Sequence, residues 1–295
     1  MPDEFPRPLD PPRHGPVHVG LLGRKIGGSL SPFIHQEAAR LCGQELRFSL
    51  LEVEREDELG PALRRAHQEG WRGLSVTMPW KRSLSPFLQG MSPEAISIGS
   101  VNLLLRTAEG WIGENSDAEG FLRPLARRRL AFSRVLLVGA GGAARAVAHV
   151  LASMPFVEEV LVRNRRLAAS QGLVDEFATE RARWVPLAWE AELPGAVELI
   201  INATPLGQDG DTSLPCPTHW IHAGLCCYDL VTHPAETPFL VEARRCGAGV
   251  IPGREMLVGQ ARRAFTAWTG QAFPEDELRS LMEVGESAAQ GGERP

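Results

Sequence analysis

Short apolar runs alternate with amphipathic stretches along most of the chain. VHVGLLG at 17–23 predicts a strand, and after a polar loop a Ser31-Pro32 pair opens a helix that Gly43 closes. LRFSLLEV at 46–53 alternates as a second strand, EDELGPALRRAHQEG reads as a helix, and GLSVTMP at 73–79 is a third strand halted by Pro79. Strands alternating with helices imply a parallel α/β sheet. SVNLLLRTAEGWIGEN has the pattern of a hairpin turning at Glu109-Gly110, and residues 118–130 form a basic amphipathic helix that bridges two domains.

The character then changes. RVLLVGAGGAARAVAHVLA is a continuous apolar run that meets glycines and passes into an Ala-rich helix, the pattern of a βα unit with a buried parallel strand. VEEVLVRNR, VELIINATP, GLCCYDLV and GAGVI continue as strands, with helices in LVDEFATE and around FLVEARRCG. MLVGQARRAFTAW is a long helix, ended at Thr269-Gly270, and PEDELRSLMEVG is a last one. The implied fold is α/β: a discontinuous N-terminal substrate domain, residues 17–117 with 253–288, around a Rossmann-type domain at 118–252. Residues 1–16, with Pro at 2, 6, 8, 11, 12 and 16, form a flexible leader, and 289–295 a polar tail.

Composition narrows the partners. The 295 residues are 43% hydrophobic and 23% charged, an ordinary globular balance with length for two domains. A net charge of -5 and a pI near 5.9 leave no positive excess for nucleic-acid phosphates or anionic lipid, so a small molecule is the expected partner. The most apolar region, Val135 to Ala152, is interrupted by Arg145 and falls short of the roughly 20 apolar residues that cross a bilayer. Five cysteines, at 42, 216, 226, 227 and 246, form an odd number without framework spacing, which points to reduced thiols and the cytoplasm. Cys216, His219, His222, Cys226 and Cys227 lie close in sequence but lack the paired CxxC spacing of zinc sites, so no metal is expected.

Gly139-Ala140-Gly141-Gly142-Ala143-Ala144 lies between an expected strand and helix, the context a dinucleotide fingerprint requires. Gly139 makes the tight turn, Gly141 lets a pyrophosphate approach the backbone, and Ala144 takes the third glycine's place. At the end of the next strand, where an acid would favour a free ribose 2′-hydroxyl, the chain has Asn164-Arg165-Arg166. Guanidinium groups attract a 2′-phosphate, which favours NADP(H) over NAD. Lys81, after a strand, and Asp117, in Glu114-Asn115-Ser116-Asp117, say little singly. Together they supply what ketone reduction needs, a proton donor beside the developing alkoxide and a carboxylate to orient it.

These motifs, in this order, resemble the shikimate dehydrogenase family over nearly the whole chain after the leader. Ser29-Leu30-Ser31-Pro32 with Phe33-Ile34-His35 is similar to its substrate-carboxylate loop, and Ser75-Val76-Thr77-Met78-Pro79-Trp80-Lys81 to its catalytic-lysine strand. Ser100-Val101-Asn102, Asn115-Ser116-Asp117, Asn202-Ala203-Thr204-Pro205, Tyr228-Asp229 and Met256-Leu257-Val258-Gly259-Gln260 extend the match. The resemblance implies NADPH-dependent reduction of 3-dehydroshikimate to shikimate, in the pathway to the aromatic amino acids. Lys81 and Asp117 are then catalytic, Ser29 and Ser31 bind the carboxylate, and Thr77, Asn102 and Gln260 surround the hydroxyls. Gly139, Ala140, Gly141, Gly142, Ala143, Asn164, Arg165, Arg166, Thr204 and Gly253 line the cofactor, in a monomer or homodimer.

The chain also departs from that pattern. Ser75 replaces the usual Asn, Gly28 a His and Thr232 a Tyr, while Arg254 and Glu255 add charge to the loop expected near the nicotinamide. Arg166 and Ala169 stand where the NADP clamp has Thr and a second Arg. A paralogue oxidising quinate or an amino-shikimate analogue is the first alternative. A non-catalytic metabolite-binding protein is the second.

Overall fold

The computed structural model describes residues 6–11 and 15–282. The rest of the expected leader, the tail and the end of the last expected helix lie outside the described residues. The chain divides into two compact units, Met1–Glu119 with Val258–Pro295, and Gly120–Leu257. Both divisions fall inside helices.

The first unit contains β1 (Val17–Gly23), α1 (Ser31–Leu41), β2 (Leu46–Glu52), α2 (Leu59–Gln68), β3 (Gly73–Val76), β4 (Gly90–Met91), α3 (Pro93–Ile98), β5 (Leu103–Arg106) and β6 (Trp111–Glu114). α4 (Asp117–Arg127) begins at its edge. The sheet order is β2-β1-β3-β5-β6-β4. β1 pairs in parallel with β2 and β3, but β5 runs antiparallel to both β3 and β6. The expected parallel sheet is therefore mixed, because the two-strand turn at Glu109-Gly110 can only return the chain antiparallel. One face buries Leu22, Leu74, Val76, Trp80, Leu104 and Trp111. The other buries Val17, Val19, Leu103, Leu105 and Ile112 with Ala264 and Trp268, from the long C-terminal helix. Residues 6–11 form no helix or strand, yet the Leu9 N–H donates to the Arg106 carbonyl at 2.8 Å.

The second unit contains β7 (Arg134–Val138), α5 (Gly142–Ser153), β8 (Glu159–Arg163), α6 (Leu167–Phe177), β9 (Arg183–Leu187), β10 (Leu199–Asn202), β11 (Cys226–Asp229), α7 (Pro238–Arg245) and β12 (Gly249–Ile251). α8 (Gly253–Thr269) follows. Every pairing is parallel, in the order β12-β11-β10-β7-β8-β9. This is a doubly wound sheet, and its strand order reverses between β7 and β10, where such sheets bind ligands. Strand β9 has no counterpart among the expected strands: proline lacks the N–H that a ladder needs, and the sheet accommodates Pro186 at an edge. No helix among the described residues is long and apolar enough to cross a membrane.

Candidate active site

The end of β3, the start of β5 and the residues after β6 come together because the backbone links them. Val76 N–H donates to Asn102 O at 2.8 Å, Asn102 N–H to Glu114 O at 3.1 Å, and Val101 N–H to Lys81 O at 2.8 Å. Pro79 ends β3 and the chain makes one tight turn, Trp80–Arg82, anchored by the buried Trp80 indole donating to Val53 O. That turn carries Lys81. Its ammonium donates to Asp117 Oδ2 at 2.5 Å, with the Lys81 side chain 14% and the Asp117 side chain 1% exposed.

Asp117 is held from behind. Asn102 Nδ2 donates to Asp117 Oδ1 at 2.7 Å and to Ser116 Oγ at 3.1 Å, while Asn102 Oδ1 accepts from the Ser116 N–H at 2.6 Å. Asn115 Oδ1 accepts from the N–H groups of Asp117 and Ala118, capping α4, and its amide donates to Ser100 O. The carboxylate thus meets a cation on one oxygen and an amide on the other, with neither side chain free to swing. A buried ion pair is stable when its remaining lone pairs are satisfied in this way. An ammonium fixed beside a carboxylate can give a proton to a substrate alkoxide and take it back.

Of the remaining residues expected at the substrate, Ser29 and Ser31 meet at the start of α1, where Ser29 Oγ accepts the Ser31 N–H at 3.2 Å. Thr77 lies between β3 and the lysine turn, its N–H donating to Leu22 O at 2.9 Å. Gln260 is half-buried on α8 and makes no side-chain hydrogen bond among the described residues. One turn after Ser31, His35 is buried against the rings of Phe48, Phe265 and Trp268 with no partner on Nδ1. Burial pushes its pKa down to about 3, so the ring is neutral.

In the second unit, β7 is followed by Gly139, whose φ is +119° and whose missing side chain would lie 2.7 Å from Ala203 O. Only glycine fits that crevice beside β10. Ala140 continues the loop, Gly141 is the N-cap of α5, and Gly142 and Ala143 form its first turn, so free backbone N–H groups gather where an anion would sit. Asn164, Arg165 and Arg166 line a cavity of about 380 Å³. Arg165 and Arg166 are exposed, without side-chain ion pairs among the described residues. These features fit a dinucleotide with a phosphate on its ribose.

Thr204 supports its own loop: its Oγ1 and N–H donate to Asn202 Oδ1 at 2.6 and 3.1 Å. Asn202 Nδ2 donates to Asp229 Oδ1 at 2.9 Å, and Thr237 Oγ1 donates to Asp229 Oδ2 at 2.6 Å. Burial raises the Asp229 pKa to about 6 despite these donors. Asn202 and Asp229 stand in motifs that the sequence already shows, but nothing in the spacing of 202, 229 and 237 announces that they bond to one another. Gly253 begins α8 against backbone, a Cβ there falling 2.4 Å from Val231 O. Both charged residues next to it already have partners. Glu255 accepts from Arg127 and Arg128, and Arg254 Nε donates to Thr232 O at 3.2 Å. The expectation that Glu255 adds charge is thus modified, because two guanidiniums neutralise it.

The five cysteines are free thiols. Burial pushes Cys216 up to about 12 and Cys226 up to about 11. His219 meets Glu192 at 3.2 Å and His222 Nδ1 accepts the Gly224 N–H, and no group of three or more metal-ligating side chains gathers among the described residues.

Three family descriptions match successive parts of the chain: shikimate dehydrogenase substrate binding domain at 21–104, shikimate / quinate 5-dehydrogenase at 124–207, and shikimate 5′-dehydrogenase C-terminal domain at 253–283. Shikimate dehydrogenase (NADP(+)) of Pelodictyon phaeoclathratiforme is 35% identical over 270 residues, 90% of this chain and 95% of that one. The Moorella thermoacetica enzyme of the same name is 36% identical over 282 residues, 93% and 95% of the two chains. Among solved structures, Thermus thermophilus shikimate 5-dehydrogenase in complex with NADP(H) and shikimate superimposes with a TM-score of 0.78 at 32% identity, covering 90% of this chain and 97% of that one. Quinate dehydrogenase from Corynebacterium glutamicum in complex with NAD gives 0.82 at 26% identity, covering 92% and 100%. With a doubly wound domain, a glycine turn at its switch point and a Lys–Asp pair in a separate mixed sheet, the chain belongs to the shikimate dehydrogenase family.

Proposed function

We propose that this protein catalyses the reversible, NADP-dependent reduction of 3-dehydroshikimate to shikimate, with Lys81 and Asp117 as its catalytic residues. The observation that carries the reading is the 2.5 Å Lys81–Asp117 contact, fixed from behind by Asn102. NADPH, when bound, supplies the hydride that reaches the C3 carbonyl carbon. Lys81 donates a proton to the carbonyl oxygen as negative charge develops there, and in the reverse direction accepts it from the hydroxyl. Asp117 keeps the ammonium oriented and shares its proton load. Asn102, its amide spent on Asp117 and Ser116, acts chiefly through that carboxylate.

Ser29 and Ser31 hold the ring carboxylate by hydroxyl and helix N-terminal donors, and Thr77 and Gln260 bind ring hydroxyls. Neutral donors of this kind fix a small anion's orientation, which is a large part of the barrier in a two-substrate reaction. The Gly139–Ala143 turn and the start of α5 hold the pyrophosphate, with Thr204 and Gly253 beside the cofactor. Asn164, Arg165 and Arg166 hold the 2′-phosphate, although the clamp lacks the second Arg at position 169. Free thiols, three of the five buried, suit a cytoplasmic enzyme.

Initial rates with shikimate and with quinate, each offered with NADP+ and with NAD+, test the reading. Shikimate with NADP+ is expected to be the fastest pair. Quinate turning over faster than shikimate would reassign the substrate to the paralogue, and a preference for NAD+ would remove the role given to Arg165 and Arg166. Shikimate binding with no turnover under any pairing would make the chain a metabolite-binding protein instead.

A further inference from the structure

Arg163 ends β8, immediately before Asn164-Arg165-Arg166, and the reaction above gives it no part. It is 5% exposed. Its guanidinium carbon lies 4.4 Å from the ring centroid of Trp189 and 4.8 Å from that of Trp220, so two indoles pack around one cation. Nη2 donates to Trp189 O and Nη1 to Pro215 O at 3.4 Å, while Nε is buried without a hydrogen-bond partner. No carboxylate among the described residues lies within ion-pair distance, and Glu190 and Glu192 act on it only from further away.

A buried cation without a counter-ion is costly, and here two rings and two carbonyls stand in for the missing carboxylate. What the arrangement does provide is direction. A planar fork against aromatic rings and bonded to two carbonyls has one orientation, where a lysine or an aliphatic chain would have several. The backbone of the same residue is fixed as well. Its carbonyl accepts the Gly139 N–H at 2.8 Å, and it pairs with Val138 on one side and Leu187 on the other. Arg163 therefore stands between the glycine turn and the arginine pair. Arg165 and Arg166 have no side-chain partners of their own among the described residues, so only the backbone that follows position 163 sets where their side chains start. Asn164 Nδ2, donating to Arg166 O at 3.2 Å, closes that short turn.

We propose that Arg163 is a positioning residue for cofactor selectivity: packed against Trp189 and Trp220, it fixes the end of β8 so that Arg165 and Arg166 are aimed at the 2′-phosphate. The proposal rests on the reading that Asn164-Arg165-Arg166 is the phosphate clamp. The backbone bond to Gly139 is made whatever the side chain at 163, so the pyrophosphate turn is untouched and the effect is confined to the phosphorylated cofactor.

The test is steady-state KM and kcat for NADPH and NADH in the wild type, Arg163→Met, Arg163→Lys, Trp189→Leu and Arg165→Ala, with a thermal melt of each. Arg163→Met is expected to raise KM for NADPH relative to NADH about five- to tenfold, with kcat within about twofold. Arg163→Lys keeps the charge and is expected to behave like Arg163→Met; full rescue by lysine would mean attraction by charge rather than positioning and would overturn the proposal. A raised NADPH KM in Arg165→Ala with none in Arg163→Met also overturns it while leaving the clamp intact. No change in Arg165→Ala would remove the clamp itself. Should Arg163→Met fail to fold, Trp189→Leu removes one ring and leaves the arginine. An unchanged NADPH to NADH ratio in that variant counts against the proposal, and a raised one supports it.

Discussion

Asp229 and His35 are both buried titratable side chains, and burial moves them to opposite effect. The Asp229 pKa rises to about 6 from an ordinary 3.8, so between those values the folded chain holds more protons than the unfolded one. Stability then falls as pH rises from about 4 to about 6, by roughly 3 kcal/mol, and levels off above. His35, lowered from 6.5 to about 3, holds fewer protons when folded, so its contribution is complete above pH 6.5 and is lost as pH falls towards 3. Urea midpoints at pH 4.5 and 7 separate the two. Asp229→Asn is expected to remove the loss of stability on going to pH 7, and His35→Leu to lessen the loss on going to pH 4.5. Unchanged pH dependence in both variants would contradict these assignments. At this scale the sequence shows chemistry only through order and resemblance. Lys81 and Asp117 are 36 positions apart and unremarkable singly, and the Asn102, Asn115 and Ser116 side chains that lock the carboxylate are distinguishable from surface polar residues only once β3, β5 and β6 are paired.

Elements were legible where one physical signal dominated. β7 reads directly from RVLLV because a strand buried on both faces must be apolar throughout, and the glycines after it mark the turn. β9 was hidden by Pro186, and α6 begins at Leu167, six residues before the expected stretch at 173, because Leu167-Ala168-Ala169-Ser170 carries little periodicity to announce a helix. The turn between β7 and α5 yields the sharpest prediction for an element. Gly139→Ala places a Cβ 2.7 Å from Ala203 O at a φ of +119°, so the crevice between β7 and β10 must open. The variant is expected to lose about 2 kcal/mol of stability and at least about tenfold in NADP+ affinity. A thermal melt and a titration of tryptophan fluorescence with NADP+ check both, and wild-type affinity would show that the turn does not hold the cofactor.

For the whole molecule, the sequence predicted boundaries at 117/118, one residue into α4, and at 252/253, the start of α8; the compact units divide at 119/120 and 257/258. No Pro- or Gly-rich linker marks the division because both helices run through it. The first unit is completed by residues that return from the far end of the chain. Trp268, fully buried, donates its indole N–H to Leu104 O at 3.3 Å and packs with Val17, Val19 and Leu103. Trp268→Ala is expected to destabilise that unit by about 3–5 kcal/mol. A thermal melt of the variant beside the wild type checks this, and an unchanged midpoint would contradict the packing role given to Trp268.

The most direct measurement is reduction of 3-dehydroshikimate by NADPH, followed by absorbance, for the wild type beside Lys81→Met. The wild type is expected to turn over and Lys81→Met to have a kcat about 10²- to 10³-fold lower, with KM for NADPH little changed. Near-normal kcat in Lys81→Met would contradict the role of the Lys81–Asp117 pair, and no turnover by a folded wild type that binds NADPH would contradict the substrate.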